Sequence, residues 1–183
     1  MHYGAKSAAD SGVVSTSSTS IKWQPPPVSF VKMNTDVALS SSRSLVEIGI
    51  VLRDDKGLIL GSSGQCFGGY LSHIVIEGKA VLRGLKFAID VGIAFLIMES
   101  DASSLIGLIN GKLVASSEIG LIVKEIQSLC FQFQHCSFFF GSRKVNWVAH
   151  TLAKLALSSV SDFFLIDVVP PLVESFVQDD RPE

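Results

Sequence analysis

The sequence predicts an α/β domain: a five-stranded mixed sheet, its first three strands antiparallel, with helices on both faces. Three β-type runs precede the first helical pattern, and strands and helices then alternate as in βαβ units. The composition, 48% hydrophobic and 17% charged over 183 residues, is enough to bury one core.

From Ser7 to Ser20, eight of fourteen residues are Ser or Thr, too polar to offset the entropy of ordering, so 1–21 is expected to be a flexible lead. Trp23-Gln24-Pro25-Pro26-Pro27 follows, whose fixed φ angles favour polyproline II and mark the domain border as a stiff spacer. The domain is expected over 22–160 and a C-terminal tail over 161–183. Phe30 to Val37 alternates, Val31, Met33 and Thr35 on one side and Lys32, Asn34 and Asp36 on the other, with Asp36 near the strand's end. Val46 to Arg53 and Leu58 to Ser63 form a hairpin across Asp54-Asp55-Lys56-Gly57. Ser72 caps a helix in which Glu77, Val81, Leu85 and Ala88 share a face until Gly92 stops it. Phe95 to Ser100 is a short strand buried on both sides, followed by a helix through Leu105, Leu108 and Ile109. Ser117 to Phe131 is helical, Cys136 to Phe140 a fifth strand, and Asn146 to Leu157 a last helix on Val148, Leu152 and Leu155.

A formal net charge of −2 provides no long-range basic field, so any nucleic-acid contact is local. The apolar run from Val91 to Met98 is far below the ~18–20 residues that span a bilayer, and no secretory signal pattern is expected. Cys66, Cys130 and Cys136 are odd in number and lack a C-x-x-C pair, which fits a reducing compartment better than a disulfide framework, so nucleus or cytosol is expected rather than secretion. His135, Cys136 and Cys130 do not complete four zinc ligands. Most of Phe131, Phe133, Phe138, Phe139 and Phe140 are expected in the core, His73 in solvent, and Trp147 exposed, where it can pack on Trp23 or meet the substrate. A monomer is expected.

Glu77 lies on an apolar helix face, where a carboxylate either becomes neutral or meets a cation. Asp36 and Asp101 end two predicted strands and can reach one crevice. Three such hard oxygen ligands suit Mg²⁺ or Mn²⁺, and a pair of ions ~3.5–4 Å apart can activate water against a phosphodiester. The simpler alternative is a helix-capping Glu and two turn aspartates.

Lys22 to Pro27, Lys32-Met33-Asn34-Thr35-Asp36, Gly49-Ile50-Val51-Leu52-Arg53-Asp54, Glu77-Gly78-Lys79-Ala80, Glu99-Ser100-Asp101 and Arg143 to Lys154 occur in one order, with Pro170-Pro171-Leu172 and Gln178-Asp179-Asp180 at the end. Together they resemble the plant reverse-transcriptase-like family with the type 1 ribonuclease H fold, over residues 22–180. The resemblance implies a ribonuclease H-like sheet and metal-dependent cleavage of the RNA strand of an RNA–DNA hybrid, leaving a 5′-phosphate and a 3′-hydroxyl. It assigns catalysis to Asp36, Glu77, Asp101 and His150, metal ligation to the first three, Mg²⁺ (or Mn²⁺) as cofactor, and substrate contact to Asn34, Arg143 and Asn146.

His150 stands where active type 1 enzymes place a fourth acidic ligand, and a neutral imidazole is a softer ligand without negative charge. Val37 replaces the usual Gly beside the first ligand. Both departures support a second reading, a catalytically weak nucleic-acid-binding or interaction module of retroelement origin. A 3′–5′ exonuclease of the same fold would need Asp-x-Glu on the first strand, where this chain has Asp36-Val37-Ala38.

Overall fold

The structure is a computed structural model that describes residues 22–40, 45–69, 71–114, 117–159 and 161–181. The Ser-rich lead expected at 1–21 lies outside the described residues. The elements follow the predicted order: β1 (Val31–Ser40), β2 (Leu45–Arg53), β3 (Ile59–Gly68), α1 (His73–Val91), β4 (Phe95–Ser100), α2 (Ser103–Ile109), α3 (Ser117–Cys130), β5 (His135–Phe140) and α4 (Trp147–Ser159). Two further elements, β6 (Phe163–Ile166) and α5 (Glu174–Asp179), come from the segment expected as a tail.

The sheet therefore has six strands, ordered β5-β4-β1-β2-β3-β6, instead of five. β1, β2 and β3 pair antiparallel as predicted, and β4 and β5 add in parallel on the other side of β1. β6 pairs antiparallel with Gly61 to Gly64 of β3. It has only four residues and alternates between half-buried and exposed, so its apolar signal is weak without its partner.

Period-two alternation divides the sheet between two cores. Met33, Ile48, Ile50, Leu52, Leu96 and Met98 join α1, α2 and α3 on one face. Val51 and Ile59 join Val148, Ala149 and Leu152 of α4, with Val173 and Val177, on the other. α1 ends at Gly92, whose φ of 86° permits its N–H to bond back to Ala88 and Ile89.

Three further expectations change. Asp36 sits inside β1, which continues to Ser40, and not at its end. Trp23 is only 1% exposed, so the Pro-rich segment is anchored into the fold and is not a free spacer. Of the five phenylalanines, only Phe133 and Phe138 are buried; Phe131 is 90% exposed, with Phe139 and Phe140 also exposed. β5 is an edge strand, and α4 lies over β1 to β3, so that among the described residues the far side of β5 is left uncovered.

Candidate active site

Asp36 reaches a crevice because β4 stops early. β4 pairs with β1 only from Val31 to Asn34, the last pair being Asn34 with Glu99. Beyond that point β1 has no neighbour on this side, and Asp101, two residues past Glu99, follows the end of β4. Continuing the same register would set Asp36 opposite Asp101. Glu77 comes from α1, on the face it shares with the fully buried Val81, Leu85 and Ala88, and is itself buried. It lines, with Asp101 and His73, a cavity of about 340 Å³.

The three carboxylates share one electrostatic environment. Burial pushes the Glu77 carboxyl up to about 8, and the nearby Asp101 and Asp36 charges add to the rise, with Arg143 opposing it. Burial also raises Asp36; Asp101 adds to this, while the hydrogen bond from His150, its charge and Arg143 oppose it. Among the described residues none of the three forms an ion pair with Lys or Arg. Glu77 Oε2 is buried with no hydrogen-bond partner, while Oε1 lies 3.4 Å from Nε2 of His73. His73, expected in solvent, is indeed 71% exposed but sits over Glu77. No three His, Cys, Asp or Glu side chains among the described residues already close into a coordination shell.

His150 is held against Asp36, its Nδ1 2.6 Å from Oδ2. α4 can come this close because of Gly49, which pairs with Asp36 across β1 and β2. A Cβ on Gly49 would lie 2.0 Å from the Ala149 carbonyl oxygen and 2.5 Å from the Ala153 nitrogen, so the helix backbone rests directly on the strand. Asn146 is buried and donates through Nδ2 to the Thr35 carbonyl at 2.8 Å, fixing the start of α4 to β1. Arg143 is exposed, in a 3₁₀ turn over Arg143–Val145 just before α4.

Asn34, to which the resemblance assigns substrate contact, lies inside the fold. It is buried, its Oδ1 accepting from Trp23 Nε1 at 3.0 Å and from Arg53 Nη2 at 3.3 Å, and its Nδ2 donating to Glu99 at 3.3 Å. Lys32 completes this network through Glu99 at 3.0 Å and the Gln24 carbonyl at 2.6 Å. Glu99, Arg53 and Trp23 thus support the Asp36 strand from below, a role the sequence reading missed. The available signal was the alternation that sets Lys32, Asn34 and Asp36 on one side of β1.

Solved structures with similar folds include the RNase H1 of the archaeon Halobacterium salinarum, with a TM-score of 0.66 and 21% identity over 71% of this chain and 98% of that one. The LC11 RNase H1 in complex with an RNA/DNA hybrid gives 0.63 and 19%, over 71% of this chain and 98% of that one. Among sequences, an Arabidopsis thaliana protein named "Putative ribonuclease H protein" is 29% identical over 87% of this chain. The chain covers only 26% of that relative's length. The profile of a family described as reverse transcriptase-like matches residues 34–156, a span that takes in Asn34, Asp36, Glu77, Asp101, Arg143, Asn146 and His150. With that match across most of its length, and the sheet and helices of a ribonuclease H fold around the crevice, this chain belongs to the reverse transcriptase-like family.

Proposed function

We propose that this chain hydrolyses the RNA strand of RNA–DNA hybrids at a divalent-cation site formed by Asp36, Glu77 and Asp101, and that His150 holds its activity low. The observation that carries the reading is the trio of carboxylates without Lys or Arg partners, one oxygen of Glu77 being buried and unbonded. The raised Glu77 and Asp36 carboxyls mark a site short of positive charge, which hard oxygen donors satisfy with Mg²⁺ or Mn²⁺. When bound, such an ion supplies a more acidic water and neutralises charge on the leaving oxygen of a phosphodiester.

The chain's own residues prepare the site. Asn146 and Gly49 hold α4 against β1, so His150 orients the Asp36 carboxylate through Oδ2. With Asp36 ionised, the proton of that bond rests on Nδ1 of His150. Arg143 offers an exposed cation beside the carboxylates, where a backbone phosphate can approach. His150 adds no negative charge, and it engages one of the two Asp36 oxygens.

That last contact also favours a second reading, a binding module that retains the fold and little catalysis. Purified protein assayed on a labelled RNA–DNA hybrid, with Mg²⁺, Mn²⁺ or chelator and an Asp36→Asn control, separates them. The hydrolase reading expects metal-dependent cleavage lost in the control, faster with Mn²⁺ than with Mg²⁺, and raised by His150→Asp. Hybrid binding with no cleavage in any of these arms would favour the module.

A further inference from the structure

Beside the carboxylate crevice, the start of α4 and the C-terminal turn enclose a second cavity of about 480 Å³, lined by Lys22, Lys144, Trp147, Phe176 and Asp179. Trp147 is 51% exposed, as the sequence suggested, yet it does not meet Trp23. Its ring lies nearly parallel to Phe176, at an interplanar angle of 10° with centroids 6.3 Å apart. It also meets His150 edge-on at 5.6 Å, and His150 contacts Asp36, so the cavity is one side chain away from the crevice. Trp147 and Phe176, 51% and 36% exposed, present apolar surface that none of the described residues covers.

We propose that this cavity binds one unpaired nucleotide of a nucleic-acid strand, its base against Trp147 and Phe176 and its phosphate toward Lys144 and Lys22. The proposal rests on the reading that the crevice acts on nucleic acid. Every base has a π face, so stacking on exposed aromatics is strong and tolerant of sequence. Lysine ammonium groups at the rim match the phosphate charge without fixing its orientation. Asp180 does not repel that phosphate as a free anion, since Arg53 holds its Oδ2 at 2.8 Å. Asp179 is exposed on the wall, where a carboxylate accepts from the amino group of a base edge. A paired base already stacks within its duplex, so the occupant is a single-stranded extension flanking the cleaved segment. The preferred substrate is therefore a hybrid with an overhang over a blunt one.

The test uses the full chain carrying Asp36→Asn, in chelator, so that hydrolysis does not enter. Trp23 is buried, so quenching of tryptophan emission reports Trp147. A short single-stranded oligodeoxynucleotide is expected to quench it, and an abasic sugar-phosphate strand of equal length to leave it unchanged. Trp147→Ala should weaken binding of an overhang hybrid about tenfold and blunt-hybrid binding little, while Trp147→Phe keeps most of the affinity. Thermal melts of both variants check that the fold is retained. Equal quenching by the abasic strand, or equal affinity of Trp147→Ala for the overhang hybrid, overturns the proposal and leaves the cavity to a protein partner. Loss of the base subsite would leave wild-type cleavage of blunt hybrids intact, whereas failure of the hydrolase reading would abolish cleavage and keep the base-dependent quenching.

Discussion

Glu77 carries a consequence that can be measured without substrate. Its carboxyl ordinarily titrates at 4.5, and the folded protein holds the proton up to about 8. The folded state therefore binds more protons than the unfolded chain between those values, and stability falls as pH rises through that window. Asp36, raised for the same leading reason of burial, acts in the same direction. In metal-free buffer the melting temperature should drop between pH 5 and pH 8, the unfolding free energy falling by at most about 1.4 kcal/mol per pH unit from Glu77. Glu77→Gln should flatten that slope, and a slope unchanged by the substitution would remove Glu77 as its source. Asp101→Asn should stabilise the metal-free protein at pH 8, by on the order of 1 kcal/mol, because it removes a charge that opposes ionisation of both neighbours. Destabilisation in the same melts would make Asp101 a structural residue.

At the level of elements, the contact of α4 with β2 determines whether His150 reaches Asp36. A methyl group at Gly49 would meet helix backbone, which cannot rotate away as a side chain can. Gly49→Ala should cost about 1–3 kcal/mol by overpacking and move His150 off Asp36. NMR of the variant at one pH checks this: the ring-proton chemical shifts of His150, set by its contacts with Asp36 and Trp147, should move from those of wild type, and unchanged shifts would mean α4 has not moved. The strands and the helices through α4 were readable because each carries its own period: Asp36 by alternation in β1, Glu77 by the spacing of Val81, Leu85 and Ala88. What could not be read depends on partners distant in sequence. Phe139 and Phe140 look like core residues until the sheet order makes β5 an edge. Phe163 to Ile166 becomes a strand only against Gly61 to Gly64 of β3. The adjacency of His150 and Asp36 needed the close approach at Gly49, which lies on a strand distant in sequence from α4.

Across the whole molecule, Arg53 ties the two ends of the described chain to its centre. The guanidinium is fully buried, stacks over the Trp23 ring at 3.6 Å, and bonds Asp180 and Asn34. Pro25 to Pro27 look like a linker in isolation, because the arginine that captures Trp23 lies on β2. Removing the carboxylate would strand a buried cation, so Asp180→Ala should cost about 2–4 kcal/mol, less than a fully buried pair because Asp180 remains partly exposed. Urea denaturation measures the loss, and a change within a few tenths of a kcal/mol would show that the tail contributes little to the fold. Through Asn34 the same network reaches the strand of Asp36, so the ends of the described chain and the crevice share one support. The central claim is that Asp36, Glu77 and Asp101 together form a divalent-cation site. Titration of Mn²⁺ followed by electron paramagnetic resonance tests it most directly, with wild type compared against Asp36→Asn. Saturable binding that weakens at least tenfold in the variant is the predicted result; no binding by wild type, or equal binding by both proteins, would contradict it.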